Sequence, residues 1–557
     1  MKQTFSLFIL IFVFLASNLH PDELAPHSTI YIPVKDGTQL PTDLYLPHDK
    51  VEKLPCILIR SPAGRNSPIA KAFAPLSQLG YVVAIQDTRS VLDNEGKTIP
   101  YGTDSWCREN DGQETIQWLA KSPITNGKIG TLGFSAMGIT QILLSPSAPE
   151  ALQCQFIGTA PASLYHYAIF PSGVLLKHQV ESWLGYYAKD TGVCSYITNQ
   201  LLDHDFWNDF DTIKVAHEVN VPAVHQGGWY DTFLQGTIDA FLARQNGGGP
   251  KARGQQKLLI GPWSHFWPLT NKLGDFIVPL QGMAPPENIT PQRLFDYYLK
   301  GIDNGMDKIP AITYYVMGPF DGSPSSGNVW RTAEIWPIPA KDTPFYLVEG
   351  NKLQEEINVE KMINAAKVSY IHDPLNPVPT LGGQNLFLES GPIDQRPIES
   401  RADVLLFTTE PLQEDTEVTG RISAKLFVSS NHSDTNVAVR LCDVYPDGRS
   451  ILICDGIHRT GLLSLTQPHA VTLPEHPIEI SVDLWSSSIV FAKGHRIRIS
   501  ICGSNYPRYE NNWNVGVFGT HQGVWNIAEN AIHMGKSLPS RLILPVVRKG
   551  DKWLVRD

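Results

Sequence analysis

Short apolar runs recur through the first half of the chain and alternate with segments that favour helices, such as 114–120 and 136–144. Runs with so few polar residues are typical of parallel strands covered on both faces. They are Cys56–Ile59, Tyr81–Ile85, Ile129–Phe134, Phe156–Gly158, Pro222–His225 and Lys257–Ile260. The alternation predicts a doubly wound parallel sheet, preceded by a hairpin formed by residues 30–34 and 40–46.

Two later regions break this alternation. Residues 162–217 are rich in aromatic side chains and favour helices, which predicts an insertion that caps the sheet. From residue 343 onward, strand-like segments recur with turn signals such as Pro446-Asp447-Gly448, and no convincing helical run follows. That spacing predicts an all-β sandwich.

Composition narrows the functional class. The chain has 557 residues, 45 Lys and Arg against 55 Asp and Glu, and a formal net charge of −10. An acidic chain does not favour nucleic acid as a partner, because nucleic-acid binding needs a basic surface. With 42% hydrophobic and 18% charged residues, the chain is also not a disordered one.

The N-terminus predicts export. The apolar run from Phe5 to Ala16 is too short for a membrane span, which needs roughly 20 residues, and it fits a signal peptide over residues 1–17. Ala16 and Ser17 are small enough for a cleavage site, so we expect a periplasmic or secreted protein. An uncleaved N-terminal anchor is the alternative.

The spacing of the seven cysteines does not indicate a metal site. They form no CxxC pair and no clustered His/Cys spacing, so we expect neither zinc nor any other cofactor. Cys442 and Cys454 flank the turn at 446–448. A disulfide between them and two buried free thiols are both open alternatives.

The sharpest motif is Gly133-Phe134-Ser135-Ala136-Met137-Gly138, which follows a predicted strand and opens a predicted helix. This is the context of a nucleophile elbow, a tight turn that lifts a serine hydroxyl out of the sheet. The usual pattern is G-x-S-x-G, whereas here the second glycine comes one residue later. We predict Ser135 as the nucleophile.

A nucleophilic serine needs a base, and the base needs an orienting carboxylate. In this kind of fold the chain order is Ser, then Asp or Glu, then His. Asp231 and His265 each follow the end of a predicted strand, at the sheet edge where open α/β sheets bind their ligands. We predict that Asp231 and His265 complete a triad with Ser135, although taken alone they fit a helix N-cap and a loop histidine.

Other polar residues near the predicted sheet have simpler interpretations. We expect Arg89 to pair with Asp87 or Glu95. The acidic cluster of Asp104, Glu109, Asp111 and Glu114 is interpreted as the solvated start of a helix.

Several long segments resemble the cocaine-esterase and X-prolyl dipeptidyl-peptidase family of serine hydrolases. The resemblance covers nearly the whole mature chain. It is carried by segments 34–40, 85–89, 228–231, 261–265, 394–397, 444–448 and 504–507. It implies an α/β-hydrolase domain over 18–161 and 218–342, a helical cap over 162–217, and a C-terminal jelly-roll over 343–557.

The resemblance also implies roles for the site residues: Ser135 as nucleophile, Asp231 as orienting acid, His265 as base, and the backbone N–H of Ala136 as an oxyanion donor. The family commonly has a tyrosine, whose hydroxyl is the second oxyanion donor, where this chain has Ala63. Another group, such as a backbone N–H, would have to take that place.

These residues predict an exported serine hydrolase that acts through an acyl-enzyme. The predicted scissile bond is an ester, and an amide is the less favoured alternative. The substrate is expected to be a small ester or short peptide. No acidic residue follows Asp231 in Thr232-Phe233-Leu234, which favours an apolar, uncharged acyl group against Phe233. Trp183, in the aromatic insertion, lines either this pocket or a core. The open alternatives for function are an X-prolyl dipeptidyl aminopeptidase and a weakly active hydrolase with a binding role. Assembly into a homo-oligomer is a separate open question.

Overall fold

The structure is a computed structural model. It describes residues 25–48, 53–93, 99–187, 192–266, 271–355, 364–462, 476–516 and 523–548. The predicted signal peptide lies outside the described residues. No helix within these ranges is both long and apolar enough to cross a membrane.

The first sheet holds the parallel strands that the apolar runs predict, and the predicted 30–34/40–46 hairpin is confirmed as β1 and β2. The strands up to residue 333 are β1 (Ser28–Pro33), β2 (Gln39–Tyr45), β3 (Leu54–Ser61), β4 (Val82–Asp87), β5 (Thr125–Phe134), β6 (Leu152–Gly158), β7 (Ala223–Tyr230), β8 (Gln256–Ser264), the small pair β9 (Lys272–Leu273) and β10 (Phe276–Ile277), β11 (Ile312–Val316) and β12 (Val329–Ala333). Their order is β1-β2-β4-β3-β5-β6-β7-β8-β11-β12, and the strands from β4 to β11 in this order run parallel.

Helices cover this sheet, as parallel strands buried on both faces require. They are α1 (Pro68–Lys71), α2 (Arg89–Leu92), α3 (Asp111–Lys121), α4 (Ala136–Leu144), α5 (Lys177–Tyr187), α6 (Gly192–Thr198), α7 (His204–Asn208), α8 (Leu234–Gly247) and α9 (Pro291–Lys300). A short helix, α10 (Arg396–Glu399), lies farther along the chain, in the β-rich region after residue 343. Every residue of α4 is buried, so the helix that follows Ser135 is fixed by packing on all sides.

Helices α5 to α7 form the cap predicted over 162–217. Its aromatic side chains pack in an apolar cluster that also contains Ala136 and Phe233 of the hydrolase unit, which is the first sheet with its covering helices. Leu386, from the second unit, which is the β-rich region after residue 343, belongs to the same cluster. The cap therefore lies over the end of the sheet where β5 and β7 finish.

The second unit is an all-β region, as the sequence predicts. In the described residues its strands are β13 (Lys341–Val348), β14 (Lys352–Glu355), β15 (Ala366–His372), β16 (Leu405–Thr408), β17 (Thr416–Ser430), β18 (Asn436–Val444), β19 (Ser450–Arg459), β20 (Ile478–Phe491), β21 (Arg496–Cys502), β22 (Ala528–Met534) and β23 (Arg541–Val547). These strands pair antiparallel except for β14 and β16, which pair parallel. The fold class, an α/β-hydrolase sheet with a helical cap and a C-terminal all-β sandwich, is confirmed. The residue limits of the units stay predictions.

The two units share one apolar core. It contains Trp229 and Tyr315 of the first sheet together with Leu426 and Ile489 of the sandwich. Backbone hydrogen bonds also cross the boundary, from Met317 N to Ser488 O and from Val490 N to Met317 O. The sandwich is therefore packed firmly against the hydrolase sheet and can supply side chains to a site at that junction.

Long-range ion pairs correct two sequence interpretations. Arg89 pairs with Asp111 and Asp36, and Asp87 pairs instead with Arg65. Glu95, the other partner named for Arg89, lies outside the described residues. Asp111 and Asp104 are buried rather than solvated, because Arg89 and Arg60 neutralise them inside the fold. Pairing is what allows carboxylates to be buried.

The hairpin at 446–448 forms, yet it carries no disulfide. A bulge between Leu441 and Cys442 shifts the register, so that Cys442 lies opposite Leu452 and Cys454 lies opposite Leu441. The seven cysteines are free, and Cys442 and Cys454 are buried thiols. Of the two alternatives, the free thiols are therefore correct.

Candidate active site

Ser135 occupies a strained turn between β5 and α4. Its backbone has φ of +55° and ψ of −123°, a conformation that a residue with a Cβ adopts only when its surroundings impose it. The Ser135 N–H donates to Gly158 O at 3.0 Å, and the Ser135 carbonyl accepts from the N–H groups of Gly138 and Ile139 at 2.8 Å. These bonds hold the hydroxyl at the end of the strand.

The positions of the elbow glycines follow from close packing. A Cβ at Gly133 would lie 2.5 Å from Met137 Cβ, and a Cβ at Gly138 would lie 2.7 Å from Gly158 O. Glycine is therefore needed at 138, where α4 crosses β6, while Met137 points into the core. This geometry explains why the second glycine comes one residue later than in the usual pattern.

His265 and Asp231 converge on the serine, as their predicted positions require. His265 Nε2 lies 2.8 Å from Ser135 Oγ. His265 Nδ1 lies 3.3 Å from Asp231 Oδ1 on its other side. The Asp231 side chain is fully buried and also accepts the Phe233 N–H at 2.6 Å. The three residues form a continuous serine–imidazole–carboxylate chain at the carboxyl ends of β5, β7 and β8.

Phe233 and Trp183, the two predicted pocket residues, lie in the same apolar cluster as Ala136 but in different positions. The Phe233 ring meets the His265 ring edge to face, with centroids 5.4 Å apart. Trp183 stacks on Tyr101 at 5.3 Å and donates its indole N–H to the Tyr101 hydroxyl. Phe233 thus borders His265 directly, whereas Trp183 packs within the cap.

The register of β3 and β5 indicates that Ala63 lies near Ala136. Ala136 is the first residue of α4, where backbone N–H groups have no acceptor inside the helix. Strands β3 and β5 pair Ile57 with Gly130 and Leu58 with Thr131. Continuing this register carries the loop after β3, with Ala63, beside Ser135 and Ala136. Backbone N–H groups of this loop are the kind that complete oxyanion holes in this fold.

Other residues beside the site come from distant parts of the chain. The Thr232 hydroxyl, next to Asp231, donates to Gln179 Oε1 of α5. Gln384, from a loop of the sandwich, donates to Trp229 O at 3.4 Å. Sequence reasoning missed both, because neither stands in a local motif and only the packing of the three parts brings them together.

No group of three or more His, Cys, Asp or Glu side chains within the described ranges is arranged to hold a metal ion.

Comparisons with known proteins match both units. The family model of X-Pro dipeptidyl-peptidase (S15 family) matches residues 36–192 and 176–267. The model of the X-Pro dipeptidyl-peptidase C-terminal non-catalytic domain matches residues 304–543. A cocaine esterase from Rhodococcus sp. (strain MB1 Bresler) is 30% identical over 592 residues, which span 94% of this chain and 98% of the relative.

Solved structures show the same fold. An aminopeptidase from a marine sediment archaeon, Thaumarchaeota archaeon, matches with a TM-score of 0.76 and 21% identity, covering 96% of this chain and 99% of its own. An α-amino acid ester hydrolase matches with a TM-score of 0.75 and 23% identity, covering 93% and 96%. The likeness extends over the hydrolase sheet, the cap and the sandwich together.

Proposed function

The chain belongs to the cocaine-esterase and X-Pro dipeptidyl-peptidase (S15) family and is a serine hydrolase, and we propose that it cleaves carboxylic esters through an acyl-enzyme on Ser135. The observation that carries this proposal is the 2.8 Å contact between Ser135 Oγ and His265 Nε2. This contact is within the reach that general-base catalysis needs.

In the proposed reaction, His265 Nε2 accepts the Ser135 proton as Oγ attacks the ester carbonyl. Asp231 holds the Nδ1–H of His265 and stabilises the imidazolium that forms. His265 then returns the proton to the departing alkoxide. Deacylation repeats these steps with water as the nucleophile, and the carboxylic acid leaves.

The negative charge of the tetrahedral intermediate needs donors that are already in place. We assign the Ala136 N–H as the first donor. Since Ala63 has no side-chain donor, we assign the second to a backbone N–H of the loop that follows β3.

The acyl group is proposed to be uncharged and apolar where it meets Phe233. Phe233 is buried against His265, and among the described residues no carboxylate lines the neighbouring cleft. A carboxylate there would favour the free N-terminal ammonium that such a peptidase recognises. X-prolyl dipeptidyl aminopeptidase activity, suggested by the family description, is therefore the second candidate.

We further propose that residues 1–17 direct export. The support is the charged start followed by a short apolar run. N-terminal sequencing of the exported protein tests this, and a mature protein that still begins at Met1 contradicts it.

A fluorophosphonate probe tests the active-site proposal. We expect labelling at Ser135 in the parent and none in Ser135→Ala. A panel of small p-nitrophenyl esters and X-Pro p-nitroanilides then separates the two candidates. Faster turnover of the X-Pro anilides than of the esters would favour the peptidase.

A further inference from the structure

Two strained residues stand side by side at the carboxyl edge of the first sheet. Strands β5 and β6 pair Phe134 with Gly158, so Ser135 and Thr159 are the residues that follow this last pair. Both have positive φ, +55° at Ser135 and +45° at Thr159. The two strands therefore leave the sheet next to each other, through the same unusual region of backbone conformation.

Thr159 is the more unusual of the two, because its side chain is branched at Cβ. A β-branched residue with positive φ is a genuine outlier, whereas glycine and asparagine adopt this conformation more readily. Among the described residues other than glycine that have positive φ, Thr159 alone is β-branched. Strained conformations of this kind persist only where the surrounding contacts impose them, and they cluster at functional sites.

Two hydrogen bonds hold Thr159 in this conformation. Its N–H donates to Gln226 O of β7 at 2.7 Å, which ties the residue to the strand that leads to Asp231. Its hydroxyl accepts the Ser135 N–H at 3.2 Å. The residue is 7% exposed, so water has little access to this contact. Thr159 is thus fastened to β7 by its backbone and to the nucleophile by its side chain.

The Ser135 N–H has two acceptors, Gly158 O at 3.0 Å and the Thr159 hydroxyl at 3.2 Å. The direction of this N–H sets the plane of the peptide that precedes Ser135, and therefore its φ. With Gly158 O as the only acceptor, that peptide can tilt towards an ordinary, negative φ. Such a tilt would move Ser135 Oγ away from His265 Nε2, from which it lies 2.8 Å.

We propose that Thr159 is a positioning residue for Ser135, whose hydroxyl contact keeps the nucleophile's turn in the conformation that holds Oγ within reach of His265. This rests on the proposed esterase function, and it adds a residue outside the triad and the oxyanion donors. A glycine at position 159 would relieve the backbone strain but would remove the hydroxyl. The chain keeps the strained threonine, and with it the second acceptor for the Ser135 N–H.

Three substitutions at position 159 separate the hydroxyl from the strain. Thr159→Ala removes the hydroxyl and keeps a Cβ at positive φ, Thr159→Gly removes both, and Thr159→Ser keeps both. We expect Thr159→Ala and Thr159→Gly to lower kcat on a p-nitrophenyl ester about tenfold, because a small displacement of a reacting atom slows the reaction strongly. Their KM should stay within about twofold of the parental value, and Thr159→Ser should retain at least about half of the parental kcat.

Thermal melts add a readout that a merely structural residue would not give, because such a residue loses stability and activity together. Glycine normally destabilises a protein relative to alanine, but at positive φ it removes strain. We therefore expect Thr159→Gly to have a higher Tm than Thr159→Ala while both stay slow, and the reverse order of Tm overturns the proposal. The matched control is Thr125→Ala, at the opposite end of β5, where a buried hydroxyl donates to Leu119 O at 2.6 Å. This control should lower Tm and leave kcat unchanged.

The rate at which a fluorophosphonate labels Ser135 connects these measurements to the nucleophile. We expect Thr159→Ala to be labelled about tenfold more slowly than the parent, and Thr159→Ser at nearly the parental rate. Parental kcat and labelling rate in Thr159→Ala overturn the proposal, and so does an equal loss in Thr159→Ser. If Thr159→Ala does not fold, Thr159→Gly decides by the same two rates. If the parent itself takes no probe and hydrolyses no ester, the esterase proposal fails, and the role of Thr159 fails with it.

Discussion

His265–Asp231 in the hydrolase unit and His495–Asp443 in the sandwich are both buried pairs in which a carboxylate faces Nδ1 of an imidazole. The distance is 3.3 Å in the first pair and 2.9 Å in the second. The second pair is thus at least as close as the first. The two pairs differ in what the imidazole ring contacts besides its carboxylate.

In the hydrolase unit that group is Ser135, held in a strained turn at the open end of a parallel sheet. In the sandwich, the His495 ring packs on Tyr445 at 4.3 Å, and the Tyr445 hydroxyl accepts the Phe320 N–H across the junction. Burial raises the pKa of Asp443, and His495 opposes this shift. In the reaction that we propose, the first Asp–His pair acts because Ser135 stands beside it, whereas the second pair lies beside a contact that joins the sandwich to the first sheet.

The largest expected effect comes from removing the nucleophile. Ser135→Ala should lower ester turnover on the order of 10⁶-fold, because the other two residues cannot act without the attacking oxygen. The control is Ser429→Ala, since Ser429 Oγ lies 2.8 Å from His533 Nε2 in the sandwich. We expect Ser429→Ala to keep parental turnover in steady-state assays. Equal activity of Ser135→Ala and parent would reject the serine.

The next largest effect is expected from replacing the carboxylate of each Asp–His pair. Asp231→Asn should lower kcat by about 10⁴-fold with little change in Tm, because the amide favours the wrong imidazole tautomer. Asp443→Asn should leave kcat per folded molecule unchanged and lower the free energy of unfolding by about 1–3 kcal/mol. Kinetics and thermal melts of both variants check this. Loss of kcat in Asp443→Asn would mean that the sandwich pair also reaches the chemistry.

Ala63→Tyr sharpens the assignment of the oxyanion donors. A missing donor typically lowers turnover on the order of 10²–10³-fold. If that donor is absent, the new hydroxyl should raise kcat on small activated esters about tenfold, since grafted groups are rarely placed perfectly. If a backbone N–H already occupies the position, as we propose, the tyrosine should give no gain or slow the reaction. Measured kcat of the folded variant decides between the two.

The smallest effect of a substitution at pH 7 concerns His225, a buried histidine that has no carboxylate partner among the described residues. His225 Nε2 lies 3.1 Å from Gln256 Oε1, and burial lowers the pKa of His225 to about 3, with Arg244 adding to the shift. Because the unfolded chain takes up this proton near pH 6.5, stability should be lost as the pH falls from about 6.5 towards 3, by about 3 kcal/mol at pH 4.

His225→Phe keeps the edge-to-face packing on Phe241 and removes this titration. It should be about 1 kcal/mol less stable than the parent at pH 7, because a hydrogen bond is lost. By pH 4 the deficit should reverse, because the parent has lost about 3 kcal/mol that the variant keeps. Denaturant melts at several pH values measure this, and parallel stability curves would contradict it.

The sequence predicted what local pattern encodes. The strand, turn and helix around Ser135 are encoded by consecutive residues, so a local pattern predicts them. The topology of a parallel sheet then brings Asp231 and His265 to the same edge. The prediction that Arg89 pairs with Asp87 was wrong, because Asp36 and Asp111 are distant in sequence and only the packing of β1, β2 and α3 brings them to Arg89. Gln179 and Gln384 escaped prediction for the same reason, since their places are set by how the cap and the sandwich dock.

The loop carrying Leu386 crosses from the sandwich into the cluster that contains Ala136 and Phe233. In the proposed enzyme, the residues that perform the chemistry and part of the binding wall therefore belong to separate structural units. We expect variation along 384–388 to change which esters are accepted while Ser135, His265 and Asp231 stay as they are. For an enzyme engineer, this loop is a place to alter selectivity without rebuilding the catalyst, and descendants of this chain could diversify in the same way.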